Sequence, residues 1–516
     1  GPPFATGLPH YGHILAGSIK DAIPRYKTMQ GYRVDRKWGW DCHGVPVEFL
    51  VEKEHKIGGK PGIEKMGVKP FNDLCRDAVQ RCASDWKSTV GRMGRFVDFD
   101  EDYKTMDPNF MESVWWIFGE LWNKGLIYEG EKVVPYSPKL GSPLSNFESN
   151  LNYQNIENDK TVTAKFKIIG EENTYMLAWT TTPWTLPSNL ALCVNPKLEY
   201  AKAEKDGEYF IVAKNLAEKI FGEEVEIIKI LLGKDLIGKK YEPLFDFFAD
   251  TENAFTVLGD EYVSDSDGTG IVHQAPNFGE EDAKICHENG IKYLSPNPID
   301  ENGYFNHENL PAELNGRYFR NDKEVKGSKE YNANDWVLNN LGDKIFNKGQ
   351  STHSYPHCWR TDCALMYRGI NTWFVDIGKV KELMVEKNKS VNWIPDHLRD
   401  GRFGKLLESA PDWAISRNRF WGCPIPIWKC SVTQKTQVIT SKEQLETLSG
   451  QKVDDLHKHF VDEITWKSPF DENGTMERIE EVLDCWFESG AMPYASNHYP
   501  FSQNKSNLSY LMRLYY

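Results

Sequence analysis

The 516 residues exceed what one ordinary hydrophobic core organises and predict roughly two to four domains. Hydrophobic residues make up 40% and charged residues 26%, the balance of a soluble globular protein, and no run of about 18 apolar residues offers a membrane span. The net charge of −14 speaks against a dedicated nucleic-acid-binding domain, because neutralising phosphate takes Lys and Arg; Arg399, Arg402, Lys405, Arg417 and Arg419 read either as a local basic stripe or as a solvated face.

The chain opens with Gly-Pro-Pro-Phe-Ala-Thr-Gly-Leu-Pro-His10-Tyr11-Gly12-His13, followed by helical spacing of apolar residues over 14–26. Two histidines three apart, after a Gly/Pro-rich turn and at a helix start, predict a nucleotide-phosphate site. Backbone N–H groups and the helix dipole favour phosphate there, and imidazoles can donate to it. Taken alone, the pair reads equally as a surface pair or half a metal site. The opening shows no signal-peptide layout and begins inside a motif, so further sequence is expected upstream.

Next comes Gly39-Trp40-Asp41-Cys42-His43-Gly44-Val45-Pro46-Val47-Glu48, then helical patterns over 71–90 and 109–124. Helix alternating with short strand up to about 140 predicts a parallel sheet with helices on its faces and ligands at the carboxyl ends of its strands. From 150 to 345 the pattern turns to short strands at 161–169, 174–179, 191–194, 209–213, 225–231 and 271–273, which reads as a β-rich barrel or sandwich. It holds Trp179-Thr180-Thr181-Thr182-Pro183-Trp184-Thr185-Leu186-Pro187-Ser188-Asn189, which standing alone is a strand edge. It also holds Gly268-Thr269-Gly270-Ile271-Val272-His273-Gln274-Ala275-Pro276 and Glu280-Glu281-Asp282, which on bland readings are a core histidine and a solvated acidic run. Residues 350 to about 500 return to helix and strand, with Ser416-Arg417-Asn418-Arg419-Phe420-Trp421-Gly422 and Leu483-Asp484-Cys485-Trp486-Phe487-Glu488-Ser489-Gly490.

Ten scattered cysteines predict reduced thiols rather than disulfides. Neither Cys358/Cys363 nor Cys423/Cys430 has Cys-x-x-Cys spacing, which argues against structural zinc.

These motifs, in this order from the first residue to about Asn504, resemble the class I aminoacyl-tRNA synthetases, and in detail the isoleucine-specific branch of the eukaryotic-like kind. Asp41-Cys42-His43-Gly44 is the discriminating stretch. The fold implied is α/β: a Rossmann-like catalytic domain in two parts, 1–149 and 346–504, interrupted by an inserted editing domain at 150–345. The implied reaction joins isoleucine to ATP as an adenylate, then transfers it to tRNA, in the cytoplasm, by a monomer or a member of a larger synthetase assembly. ATP would bring its own Mg²⁺.

The resemblance makes His10 and His13 the ATP-contacting, catalytic histidines, with Gly12 beside them. Asp41 would hold the substrate ammonium, and Pro2 and Trp486 would wall the isoleucine pocket. Asp41 alone would read as a helix cap or surface ion pair, and Trp486 as a core tryptophan. Glu48 and the 416–422 segment match signatures without an assigned role. An apolar pocket cannot strongly reject a substrate one methylene smaller, which calls for a second, hydrolytic site; isoleucine against valine in this enzyme family, at about 150-fold, is the worked illustration of that limit. There Thr181, Thr182, Thr185 and Asn189 would surround the ester, His273 would line the side-chain pocket, and Asp282 would hold the ammonium of the misattached amino acid. Relatives that bind zinc near Cys358 use an upstream cysteine pair, and Tyr136-Ser137-Pro138-Lys139-Leu140-Gly141 has none.

Three departures stand out. The strand expected before Gly1, the Lys-Met-Ser-Lys-Ser-type loop with the preceding acidic segment, and the helical anticodon-binding domain do not occur, and residues 505–516 match no family segment. The expectation is a partial chain that activates isoleucine poorly. The alternatives are a freestanding deacylase retaining only editing and a non-enzymatic tRNA-binding or scaffold protein; intact catalytic motifs count against the latter.

Overall fold

The computed structural model describes residues 2–4, 6–223 and 225–502, with the side chains of 146 and 147 left aside; the 505–516 tail lies outside the described residues. The chain divides into two compact units, one made of 1–130 and 372–516 and the other of 131–371. The strands Ile127–Ser137 and Met366–Val375 carry it from one to the other.

The first unit is mixed α/β. Lys37–Trp40 pairs in parallel with Asp98–Lys104, and Phe4 adds a parallel bridge to Asp41, so three segments run the same way. Trp38 and Trp40 are buried against Trp86 of the helix Val68–Arg92, which the apolar spacing at 71–90 anticipates. Each such side chain removed from water contributes about 1.5–3 kcal/mol. A second core gathers the buried face of Pro108–Asn123 (Phe110, Val114, Trp115, Phe118) against Trp428, Met476 and the helix Cys485–Ala495.

The opening helix is Tyr11–Met29, as its periodicity predicts, yet it buries no residue: Leu15, Ile19 and Ile23 are exposed. Two cations of the basic stripe are in fact interior. Arg417 pairs with Asp484, and Arg419 pairs with Glu48 and Glu52, so the five do not form one surface.

The second unit is β-rich. A six-stranded sheet runs in the order Glu226–Leu232, Glu199–Lys205, Glu208–Ala213, Thr174–Thr180, Tyr153–Lys167, Ile345–Pro356. A three-stranded sheet sets Ala191–Val194 between Thr256–Gly259 and Ile271–Gln274. Phe166 and Met176 of the first sheet share a core with Leu192, Val257 and Ile271 of the second. Both sheets are open at their edges, so among the described residues the arrangement is two packed sheets and no closed barrel. Glu199–Lys205 has no counterpart among the predicted strands, because Lys, Glu and Ala carry little strand signal; its Tyr200, Ala201 and Ala203 are nevertheless buried, Tyr200 on one face of the sheet and Ala201 on the other.

Candidate functional site

His10 caps the helix Tyr11–Met29 from an extended conformation. Its Nδ1 accepts the Gly12 N–H at 3.1 Å, and the His10 N–H donates to His13 Nδ1 at 3.3 Å. The two rings stack with centroids 3.7 Å apart. A Cβ on Gly12 would stand 3.0 Å from the His10 ring, so glycine is what lets the cap close. With both Nδ1 atoms accepting backbone protons, each neutral ring carries its proton on Nε2, at a helix N-terminus suited to anions. Burial, then His10, lowers the His13 pKa. Trp86 backs the pair: its ring lies 4.7 Å from His13 and its indole donates to the Gly7 carbonyl at 2.5 Å. A cavity of about 340 Å³ lies against this side of His13, lined also by Pro9, Ile14, Trp38, Trp86 and Arg95.

Asp41 sits at the carboxyl end of Lys37–Trp40, where ligands of parallel sheets gather. It is 1% exposed. Ser489 Oγ lies 3.0 Å from its Oδ2, while Oδ1 has no hydrogen-bond partner. Burial, then the nearby Glu488 carboxylate, hold Asp41 well above the usual carboxylate range. The Asp41 N–H donates to the Pro3 carbonyl at 2.9 Å, and the Phe4 ring meets Trp486 edge-on at 6.0 Å. The segment at 2–4, Asp41 and the helix Cys485–Ala495 thus converge, with half-exposed Trp486 beside partly exposed Phe4; Pro2, two residues before Phe4, is also partly exposed. Ser489 escaped the sequence reading, although it lies three residues beyond Trp486 on the same helix face.

Glu48 acquires a role. Its Oε1 accepts the N–H groups of Phe420 and Trp421 at 3.0 and 2.6 Å, and Oε2 pairs with Arg419. This carboxylate fastens the 416–422 segment to the helix Val45–His55.

In the second unit the threonine-rich turn and the strand Ile271–Gln274 meet. Thr180, Thr182 and Thr185 hydroxyls succeed one another at 3.1 and 3.4 Å, and Thr185 Oγ1 lies 3.0 Å from His273 Nε2. Thr185 donates its own proton to the Thr182 carbonyl, so it accepts from His273 Nε2–H, and His273 Nδ1 is left as a buried acceptor without a partner. Burial lowers the His273 pKa to about 4. Thr181 is half-buried beside this chain. Asn189 is engaged elsewhere: its amide donates to the Ala191 and Gln274 carbonyls and accepts from the Tyr241 hydroxyl.

Asp282 opens the helix Glu280–Glu288 and folds back to accept the Ala275 N–H at 2.8 Å. A Cβ at Gly279 would stand 2.7 Å from this carboxyl, so the glycine makes room for it. Burial raises the Asp282 pKa to about 7.

Cys358 and Cys363 are both buried, with the Ser137 and Thr361 hydroxyls 3.5 and 3.0 Å from Cys363 Sγ. The hydrogen bond from Cys363 lowers the Cys358 pKa. Among the described residues no three His, Cys, Asp or Glu side chains group as metal ligands.

Residues 1–514 match the family described as tRNA synthetases class I (I, L, M and V). The chain belongs to this family. It is similar along most of its length to proteins named isoleucine–tRNA ligase: 49% identical over 507 residues to that of Bdellovibrio bacteriovorus, covering 97% of this chain and 46% of the relative. The Treponema denticola protein of that name is 46% identical over 545 residues (98% and 48%), and the Chlamydia abortus protein 48% over 516 residues (99% and 48%). The chain spans about half the length of these curated relatives.

Proposed function

We propose that the chain carries the synthetic and editing centres of an isoleucine–tRNA ligase, the first unit built on a Rossmann-like sheet and the β-rich unit serving as the editing insertion. In the first step an isoleucine carboxylate oxygen bonds to the α-phosphorus of ATP, and pyrophosphate leaves with the electron pair of the broken P–O bond. A ribose hydroxyl oxygen of tRNA then bonds to the acyl carbon, giving up its proton, and AMP leaves with the electron pair of the broken C–O bond. The observation that carries this reading is the bare, buried Oδ1 of Asp41: a site poised for one cation, as the substrate ammonium requires. Pro2 and Trp486 wall the apolar side chain. His10 and His13 present Nε2–H donors to phosphate oxygens, and because little covalent chemistry falls to the protein, orienting donors where charge builds is their contribution. Mg²⁺ arrives with ATP and neutralises phosphate charge when bound.

In the editing unit Asp282 takes the ammonium of a misattached valine. Thr182, Thr185 and Thr181 orient the ester and the attacking water, and Asn189 braces their turn. His273 bounds the pocket and excludes the larger isoleucine. Water bonds to the ester carbonyl carbon, and the ribose oxygen departs with a proton. The family resemblance supports a cytoplasmic reaction; separately, no helix among the described residues is long and apolar enough to cross a membrane. A freestanding deacylase is not favoured, since relatives named as ligases match both units, over 97–99% of the chain.

Equilibrium dialysis with radiolabelled isoleucine tests this. A charged hydrogen bond of about 1.5–3 kcal/mol predicts that Asp41→Asn weakens binding by roughly tenfold or more. Equal binding by variant and parent overturns the reading.

A further inference from the structure

Three buried titratable side chains of the first unit and a half-buried fourth, Asp455, stand in line without a part in the chemistry above. Glu488 Oε2 lies 2.6 Å from His43 Nδ1, His43 Nε2 lies 3.0 Å from His457 Nε2, and His457 Nδ1 lies 2.5 Å from Asp455 Oδ1. The side chains of Glu488, His43 and His457 have no exposure at all. Glu488 spends its other oxygen on the Cys423 N–H at 3.1 Å, and Asp455 spends its other oxygen on Arg76 at 2.6 Å.

Each of the three contacts joins two atoms that present lone pairs when unprotonated, so each needs one proton. Two neutral imidazoles supply only two. The third contact would then set two lone pairs face to face, a repulsion that Arg76 relieves only at the Asp455 end of the line and that, without solvent exposure, goes unrelieved at the two inner contacts. With both carboxylates ionised, three protons on two rings amount to one imidazolium.

The surrounding charges agree. Asp455 is balanced by Arg76, and Asp484, at the cap of Cys485–Ala495, by Arg417. Glu488 is left to the histidine pair, with Asp41 close enough that Glu488 is its strongest charged neighbour. Burial lowers the His457 pKa to about 3 against the pull of Asp455, and Arg76, 3.1 Å from His457 Nδ1, also opposes a charge there. The proton shared between the two Nε2 atoms therefore sits on His43, where the charge meets the Glu488 carboxylate at 2.6 Å and the edge-on Trp421 ring at 5.0 Å. The remaining titratable neighbours are His459, which approaches His457 from Lys458–Val461, and the Cys423 thiol.

We propose that His43 and His457 share one positive charge that balances Glu488, and that this balance keeps the adjacent Asp41 able to ionise for the substrate ammonium. Both histidines are then positioning residues for amino-acid binding, acting through Glu488 and its neighbour Ser489, which holds Asp41. The proposal rests on the reading of Asp41 above.

Two measurements on the full chain test it and separate the two claims. The first is the nitrogen NMR spectrum of ¹⁵N-histidine-labelled protein, assigned with His43→Gln and His457→Gln. It is expected to show three protonated nitrogens among the four of this pair at pH 7; two protonated nitrogens, one per ring, overturn the shared charge. Glu488→Gln, which removes the counter-charge, should reduce three to two, and serves if a histidine variant does not fold. The second is isoleucine binding against pH. His457→Gln is expected to move the acid limb of binding upward by about one pH unit, roughly tenfold weaker at a fixed acidic pH, and to match the parent at alkaline pH. A loss equal at every pH, or no change, contradicts the electrostatic role. Three protonated nitrogens in a chain whose isoleucine binding ignores Asp41→Asn would instead fault the reading of Asp41, and the link to it.

Discussion

The Ser489 hydroxyl lies 3.0 Å from one oxygen of the buried Asp41 carboxyl and 3.0 Å from the Cys485 carbonyl, two acceptors for its one proton, while the other Asp41 oxygen has no hydrogen-bond partner. A half-satisfied carboxyl in the interior is costly unless something else completes it, and a cationic ligand does so.

Isoleucine binding should therefore strengthen with pH. Asp41 is held well above its ordinary range by burial and then by Glu488, whereas the ammonium binds the ionised form. Below the raised pKa, binding must expel a proton, so affinity should fall about tenfold per pH unit on the acid side. Calorimetry in buffers of different ionisation enthalpy would register proton release there; binding without pH dependence or proton release would contradict the assignment.

The histidine cap makes a steric prediction. Gly12→Ala places a Cβ against the His10 ring, which must move to accommodate it. ATP binding should weaken while the far-UV circular dichroism stays unchanged. An alanine variant with unaltered nucleotide affinity would dissociate the cap from phosphate binding.

Glu48→Ala should be among the most damaging substitutions in the first unit. It strands the buried Arg419 with Glu52 as its remaining carboxylate and removes the acceptor of two backbone N–H groups. Breaking a buried pair from one side costs about 3–5 kcal/mol. Urea unfolding followed by tryptophan fluorescence should show an early loss of the first unit; a shift within error would mean that the clamp contributes nothing.

Asp282 sets function against stability. A carboxyl whose folded pKa is raised to about 7 contributes stability that is fully present below the unfolded value near 3.8 and is lost as pH rises through about 7. Asp282→Asn mimics the protonated acid, so its melting temperature should exceed the parent's at pH 5 and by a wider margin at pH 8, although editing is lost. His273, lowered to about 4, costs stability as pH falls below the unfolded value of about 6.5, but it does so in both chains and cancels in the comparison. A variant less stable than the parent at pH 8 would contradict this.

What the sequence disclosed and what it withheld follow from range. Helices at 14–26, 71–90 and 109–124 and the strands at 174–179 and 191–194 are written in local periodicity, and the structure has them as Tyr11–Met29, Val68–Arg92, Pro108–Asn123, Thr174–Thr180 and Ala191–Val194. The His10–Gly12–His13 cap is also local. Burial was less legible: periodicity predicts an apolar face on Tyr11–Met29 but cannot say what covers it, and it cannot reveal that Arg417 and Arg419 lie inside. Thr185 and His273 are 88 residues apart, His43 and His457 are 414 apart, and Asp41 and Ser489 are 448 apart. No window of sequence contains such pairs; only the fold brings them together.

The most direct test of a two-centre isoleucine enzyme is hydrolysis, by this chain, of valyl and isoleucyl esters carried on the same isoleucine tRNA, with Asp282→Ala in parallel. The account predicts rapid loss of valine, retention of isoleucine, and no valine loss in the variant. Equal treatment of the two esters, hydrolysis indifferent to Asp282, or no hydrolysis of either would contradict it.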